Sequence, residues 1–200
     1  MQISIKHNFP EVQRSLNALH ADIRAKALAS AMNKTVEQAR TQMTREITSE
    51  YNVTSAYVRE RLRIKRASFK AGMFEMEASL VGGDGKKRSA NMIRFLEKWV
   101  TLAQARKRAK AGTLNQLHFK VRKAGGKKVI TGAFIGNKGR TVFIREGKAR
   151  LPIKALQTID VPQMFNQKRI NARVVAAIKD KFPGLFAREA KFYLAKFNGR

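Results

Sequence analysis

Near the amino terminus Ile3 and Ile5 alternate with polar neighbours, a pattern that predicts a short strand within residues 1–8. Phe9-Pro10 follows, with Pro10 suited to the first turn of a helix. From Glu11 to Glu50 no Gly or Pro interrupts the chain, and Leu16, Leu19, Ile23, Ala27, Ala31, Met43 and Ile47 fall near helical spacing. One long helix, or two in line, is expected there. Thr54 or Ser55 then caps one or two helical turns ending near Arg61. Leu62 to Ala67 and Phe74 to Leu80 each alternate around Ala71-Gly72, which predicts a hairpin with Arg63 and Lys65 opposite Glu77 and Glu75.

The middle of the chain divides into a loop, an ambiguous apolar segment and a run of strands. Gly82 to Arg88 reads as a basic loop. Between Asn91 and Lys110, Met92, Ile93, Phe95, Leu96, Trp99, Val100, Leu102 and Ala103 would cover most of a helix surface; a helix is favoured, and a strand through Met92 to Leu96 is the alternative. Leu117 to Arg122 predicts a strand that turns at Ala124 to Lys127. Residues Val129 to Ile153 then carry the strongest β signal: Phe134-Ile135, the turn Gly136-Asn137-Lys138-Gly139, the return Thr141 to Ile144, and a further strand from Arg150 with Pro152 at its start. An antiparallel meander is expected, with the long helical segments laid across it.

Past Val161-Pro162, the residues Met164, Phe165, Ile170, Val174, Ala177 and Ile178 predict an amphipathic helix that stops near Phe182-Pro183-Gly184. A last helix from Leu185 to Phe197 presents Phe186, Ala190, Tyr193, Leu194 and Phe197. This order predicts an α+β fold: a long amino-terminal helix packed on an antiparallel sheet or meander, with carboxy-terminal helices.

Composition adds a charge problem to that outline. The chain has 200 residues, enough for one domain with a real core, and 44% of them are hydrophobic. It carries 42 Lys and Arg against 14 Asp and Glu, a formal charge of +28. A compact globule so charged repels itself, so nucleic acid or acidic partners are expected beside it. The basic clusters are Arg59, Arg61, Arg63, Lys65 and Arg66; then Arg106, Lys107, Arg108 and Lys110; then Lys123, Lys127 and Lys128. These are the candidates for contact with DNA or an acidic partner, through phosphates rather than bases.

Catalytic and metal chemistry find little support. Cysteine is absent, which excludes disulfides and thiolate metal sites. His7, His20 and His118 stand far apart with no acidic cluster beside them. Glu75 and Glu77 share a strand face, but Arg63 and Lys65 give them a simpler use. No nucleophile elbow or P-loop spacing occurs, and Gly136 to Gly139 is better read as a hairpin turn than as a phosphate cradle. Trp99 and the Phe residues lack the framing of a base-stacking platform. No cofactor is expected. The start of the sequence has no signal-peptide core and no run long enough to span a membrane, so a soluble protein made in the cytoplasm is expected.

Particular residues also suggest a family. Ala31-Met32-Asn33-Lys34, then Val58-Arg59-Glu60-Arg61-Leu62-Arg63-Ile64-Lys65-Arg66-Ala67, resemble the amino-terminal half of the phage minor tail protein Z family, the tail completion proteins of lambda-like phages. Gly132 to Ile135, Arg145 to Ile153 and Val161-Pro162 before the closing helix resemble its carboxy-terminal half. The likeness runs over about residues 20–195 and breaks at Gly82 to Gly112, where an apolar and basic insertion in an otherwise single domain looks like a private interface.

The resemblance implies a non-enzymatic virion component that completes the tail at its head-proximal end and helps it join the head. It also implies a homohexameric ring around the DNA passage, between tail terminator or tube proteins and the head connector. Phe95, Trp99, Phe134 and Ile135 are the candidate subunit-interface residues. A stand-alone DNA- or RNA-binding protein of nucleoid or ribosomal type is the alternative, and a nuclease a third possibility.

Overall fold

The computed structural model describes residues 2–5, 21–67, 77–83, 89–97, 107, 111, 116–147, 149 and 151–198. Strand β1 (Gln2–Ile5) precedes the long helix α1 (Ala21–Glu50), then α2 (Ser55–Arg61), β2 (Leu62–Lys65), β3 (Ala78–Gly82) and β4 (Ser89–Asn91). A 3-10 turn (Met92–Phe95) leads towards β5 (Gln116–Phe119), β6 (Lys128–Thr131), β7 (Phe134–Gly136), β8 (Thr141–Arg145), β9 (Ile153–Ala155) and β10 (Gln157–Ile159). Two helices follow, α3 (Val161–Phe165) and α4 (Lys168–Asn198). The fold is α+β, as the sequence predicts.

Helices α1 and α4 form the backbone of the molecule because each carries an apolar ridge at four-residue spacing. On α1 and just beyond it the buried series is Ala27, Ala31, Thr35, Ala39, Met43, Ile47 and Tyr51; on α4 it is Ile170, Val174, Ile178, Phe182, Phe186 and Ala190. Ion pairs from Lys34 to Glu189 and from Arg169 to Glu50 set the two antiparallel. The small residues of α1 thereby lie level with Phe182 and Phe186, so the large rings fill space that alanines leave. The buried threonines of α1, Thr35 on this ridge and Thr44 beside it, are satisfied within the helix, since their hydroxyls donate to the Ala31 and Arg40 carbonyls at 2.7 and 2.8 Å.

Helix α4 corrects the expectation of two helices separated at Phe182-Pro183-Gly184. It runs unbroken through Pro183. Proline there removes one backbone donor, a loss of about 3 kcal/mol in an isolated helix. Phe182, Leu185, Phe186 and Ala190 are buried on both sides of the proline, and each large apolar side chain contributes about 1.5–3 kcal/mol. Packing outweighs the breaker.

The described sheets belong to two cores. Antiparallel β1-β3-β2 lies under α1 and shares its core, with Ile3, Ala78, Leu80 and Leu62 buried beside Met32 and Val36. Helix α3 closes the end of that sheet so tightly that a Cβ on Gly82 would stand 2.8 Å from the Phe165 ring. A second, smaller core of Met92, Leu117, Phe119, Ala133 and Val142 is covered by the β5-β6 hairpin and the β7-β8-β9 meander. The meander exists as expected, with Asn137, Lys138 and Gly139 all at positive φ in its turn. The long helix, however, lies on the β1-β3-β2 sheet, while the meander's buried residues serve the second core.

Between the cores, Asn91 to Glu97 is a short strand and a 3-10 turn, not the favoured helix. The reason is local: the Asn91 carboxamide caps the turn through the Ile93 N–H and also bonds both backbone groups of Val142, fixing the segment to β8. Met92 faces the second core and Phe95 the first. The remainder of the expected helix, including Trp99, lies outside the described residues apart from Lys107, and so does the expected helix before Ala21.

Candidate functional site

The first basic cluster is organised by an acid that lies far away in sequence. Thr54 caps α2 by accepting from the Tyr57 N–H, and Tyr57 and Val58 turn inward. Asp160, 2% exposed, caps α3 by accepting from the Val161 N–H, while its own backbone N–H donates to the Gln163 side-chain oxygen. Its Oδ1 accepts from the Tyr57 hydroxyl at 2.7 Å and its Oδ2 from Arg61 Nε at 3.3 Å. The guanidinium carbons of Arg61 and Arg94 stand 3.9 and 4.2 Å from the Tyr57 ring centroid. Burial, the hydrogen bond to Asp160 and its negative charge push the Tyr57 phenol up to about 12, so it remains a donor at neutral pH. Arg61 is therefore engaged inside the fold, joining α2 to α3.

The other members of that cluster divide. Arg66 pairs with Glu37 at 2.6 Å. Arg59, Arg63 and Lys65 are exposed. The expected pairing of Arg63 and Lys65 with Glu77 and Glu75 is corrected by the register, which sets Arg63 opposite Val81 and Lys65 opposite Ser79. Glu77 accepts instead from Gln2 at 2.7 Å, and Glu75 lies outside the described residues. In the second cluster Lys107 is exposed, while Arg106, Arg108 and Lys110 also lie outside them. In the third, Lys127 pairs with Glu97 at 2.8 Å, and Lys123 and Lys128 are exposed.

Of the candidate interface residues, Phe95 needs correction. It is fully buried in the first core and has no surface to offer another subunit. Phe134 is half-buried, stacked on Phe143 with ring centroids 5.9 Å apart, and Ile135 packs on the second core. Among the described residues the exposed large apolar side chains are others: Val129, Leu151 and Ile153 around the second core, and Phe192 and Phe197 on α4. Phe192 falls off the four-residue ridge of Phe182, Phe186 and Ala190, a signal present in the spacing, whereas Phe197, expected on the apolar face of the last helix, is exposed beyond the end of that ridge. The burial of Asp160 against Tyr57 had no such signal.

Opposite charges are distributed unevenly between the two cores. Around α1 and α4, Lys34, Arg66, Arg169 and Arg173 pair with Glu189, Glu37, Glu50 and Glu46. Glu189 is almost fully buried; burial alone would raise its pKa, but hydrogen bonds from Lys34 and Ser30 and the charges of Lys34 and Arg188 hold it below the usual carboxylate range. By contrast, the sequence from Lys98 to Arg145 holds 13 Lys and Arg and no Asp or Glu. Among the described residues no group of three or more His, Asp or Glu could hold a metal, and no helix is long and apolar enough to cross a membrane. The small cleft between α1 and α4, lined by Thr35, Gln42 and Lys181, has no catalytic constellation.

The chain belongs to the prophage minor tail protein Z (GPZ) family, whose model matches residues 10–200. No curated protein and no solved structure matches it.

Proposed function

We propose that this phage minor tail protein is a non-enzymatic tail-completion subunit. Copies form a ring, of six, at the head-proximal end of the tail, against tail terminator or tube proteins on one side and the head connector on the other, around the path of the DNA. The observation that carries the reading is the family match over nearly the whole chain. The charge supports it: +28 on 200 residues is costly for free copies and favourable beside a polyanion or acidic neighbours. Exposed Val129, Leu151 and Ile153 supply apolar surface for such neighbours.

Deleting the gene from the phage that carries it tests the role. Filled heads and separate tails are expected to accumulate, and added protein to restore joining; infectious particles at normal yield without it would overturn the reading. Light scattering and electron microscopy of the purified protein test the ring. A persistent monomer that binds DNA and is missing from virions would support the stand-alone nucleic-acid-binding alternative.

A further inference from the structure

The two lysines left without a carboxylate in the third cluster stand on the same projecting piece of backbone. Every residue from Arg122 to Lys128 is exposed, and the seven hold four cations and no acid. The segment is nevertheless anchored. Asn52 N–H donates to the Val121 carbonyl and Lys123 N–H to the Glu50 carbonyl, both at 2.9 Å, and Arg122 makes an isolated bridge to Tyr51. The tip of β5-β6 is thus pinned to the carboxy-terminal end of α1, where the helix dipole favours positive charge. Arg169 and Arg173 at the same end of the helix pair are paired to Glu50 and Glu46 and so add no net charge there.

We infer that this tip, Arg122 to Lys128, is a sequence-independent contact for the phosphate backbone of duplex DNA. The inference rests on the tail-completion reading only for why DNA should be nearby; the surface itself is argued from its own chemistry. Lys127 is tied to Glu97, whereas Lys123 and Lys128 have no carboxylate partner among the described residues. Lysine presents a point charge on a flexible stem, suited to phosphate oxygens. The tip carries no Asn, Gln or aromatic side chain with which to read or stack on a base, and its one arginine, Arg122, lies against Tyr51 with its guanidinium carbon 5.6 Å from the ring centroid. Nor has it the aromatic or large aliphatic anchor on which protein interfaces usually depend, its only apolar side chain being Ala124. At Gly126 a side chain would meet open space, so the turn is slim at its apex. Because the backbone is already fixed, little ordering cost is added on binding.

The test is the salt dependence of binding to a random-sequence DNA duplex, read by fluorescence anisotropy on the full chain. Lys123→Ala with Lys128→Ala is compared with Lys179→Ala with Lys191→Ala, which removes the same charge from exposed positions on α4. Circular dichroism confirms that both variants keep the fold. Each lost phosphate contact lowers the log–log salt slope by about 0.9, so the hairpin variant should lose about two units and the α4 variant none. Equal losses in both variants would mean bulk charge alone, and an unchanged slope in the hairpin variant would remove the tip from the DNA surface; either overturns the inference. Normal DNA binding with lost capture of tail proteins would assign the tip to a protein partner and overturn it as well. A monomer whose slope falls only in the hairpin variant sinks the ring while leaving this contact standing.

Discussion

The two cores of this protein are built on different physical terms. Among the described residues the first joins 28 buried apolar side chains, most of them from α1, α4, α2, α3 and the β1-β3-β2 sheet, while the second joins five. Around the first, acids are placed where bases need them, as Lys34 with Glu189 and Arg173 with Glu46 show. Around the second, Lys127 pairs with Glu97 while Lys123 and Lys128 have no carboxylate partner among the described residues, and the core depends on connectors such as Asn91. A large core with matched charges suits a scaffold. A small core under repulsive charge suits a surface completed by its neighbours.

The largest expected effect breaks the scaffold. Phe182→Ala removes a fully buried ring from the face where α4 meets α1, and denaturant unfolding should show a loss of about 3–5 kcal/mol. A loss under 1 kcal/mol would mean that the helix pair does not dominate stability. A smaller effect should follow from Asn91→Ala, which strips Val142 of bonds to both its backbone groups, at a cost of about 1–3 kcal/mol. Hydrogen exchange should accelerate across residues 116–145 and remain slow in α1 and α4. Equal acceleration in the helices would show one cooperative unit and dissolve the contrast between the cores.

The finest distinction concerns a single proton. Because the folded-state pKa of Glu189 is lowered, its contribution is present above its unfolded value near 4.5 and is lost as pH falls through the folded pKa. Glu189→Gln should be less stable than wild type at pH 7, with the difference shrinking below about pH 4. Melting curves that stay parallel from pH 7 to pH 3 would show that the paired carboxylate does not stabilise the helix pair through its charge.

Much of this architecture was legible wherever the signal is local. Thr54 caps its helix, and Gly136 to Gly139 makes its turn, because each requires only residues within about four positions. The basic clusters were equally visible, but their use was not. Arg61 and Arg59 look alike in the sequence, and only the arrival of Asp160, 99 positions beyond Arg61, turns one inward and leaves the other exposed. The burial of Phe95, a candidate interface residue, was hidden for the same reason, since the strands and helices that cover it come from distant parts of the chain.

The sequence by itself determined the α+β class, the hairpins, the helical faces and an excess of positive charge that calls for anionic company. Those follow from short-range sterics, periodicity and summed charge, none of which requires knowing what packs against what. The tertiary structure alone decided that α4 continues through Pro183, that the meander belongs to the second core, and which lysines and arginines are left for a partner. Each of those outcomes depends on the burial or pairing of residues far apart along the chain, and such terms acquire their value only once the fold brings the residues together.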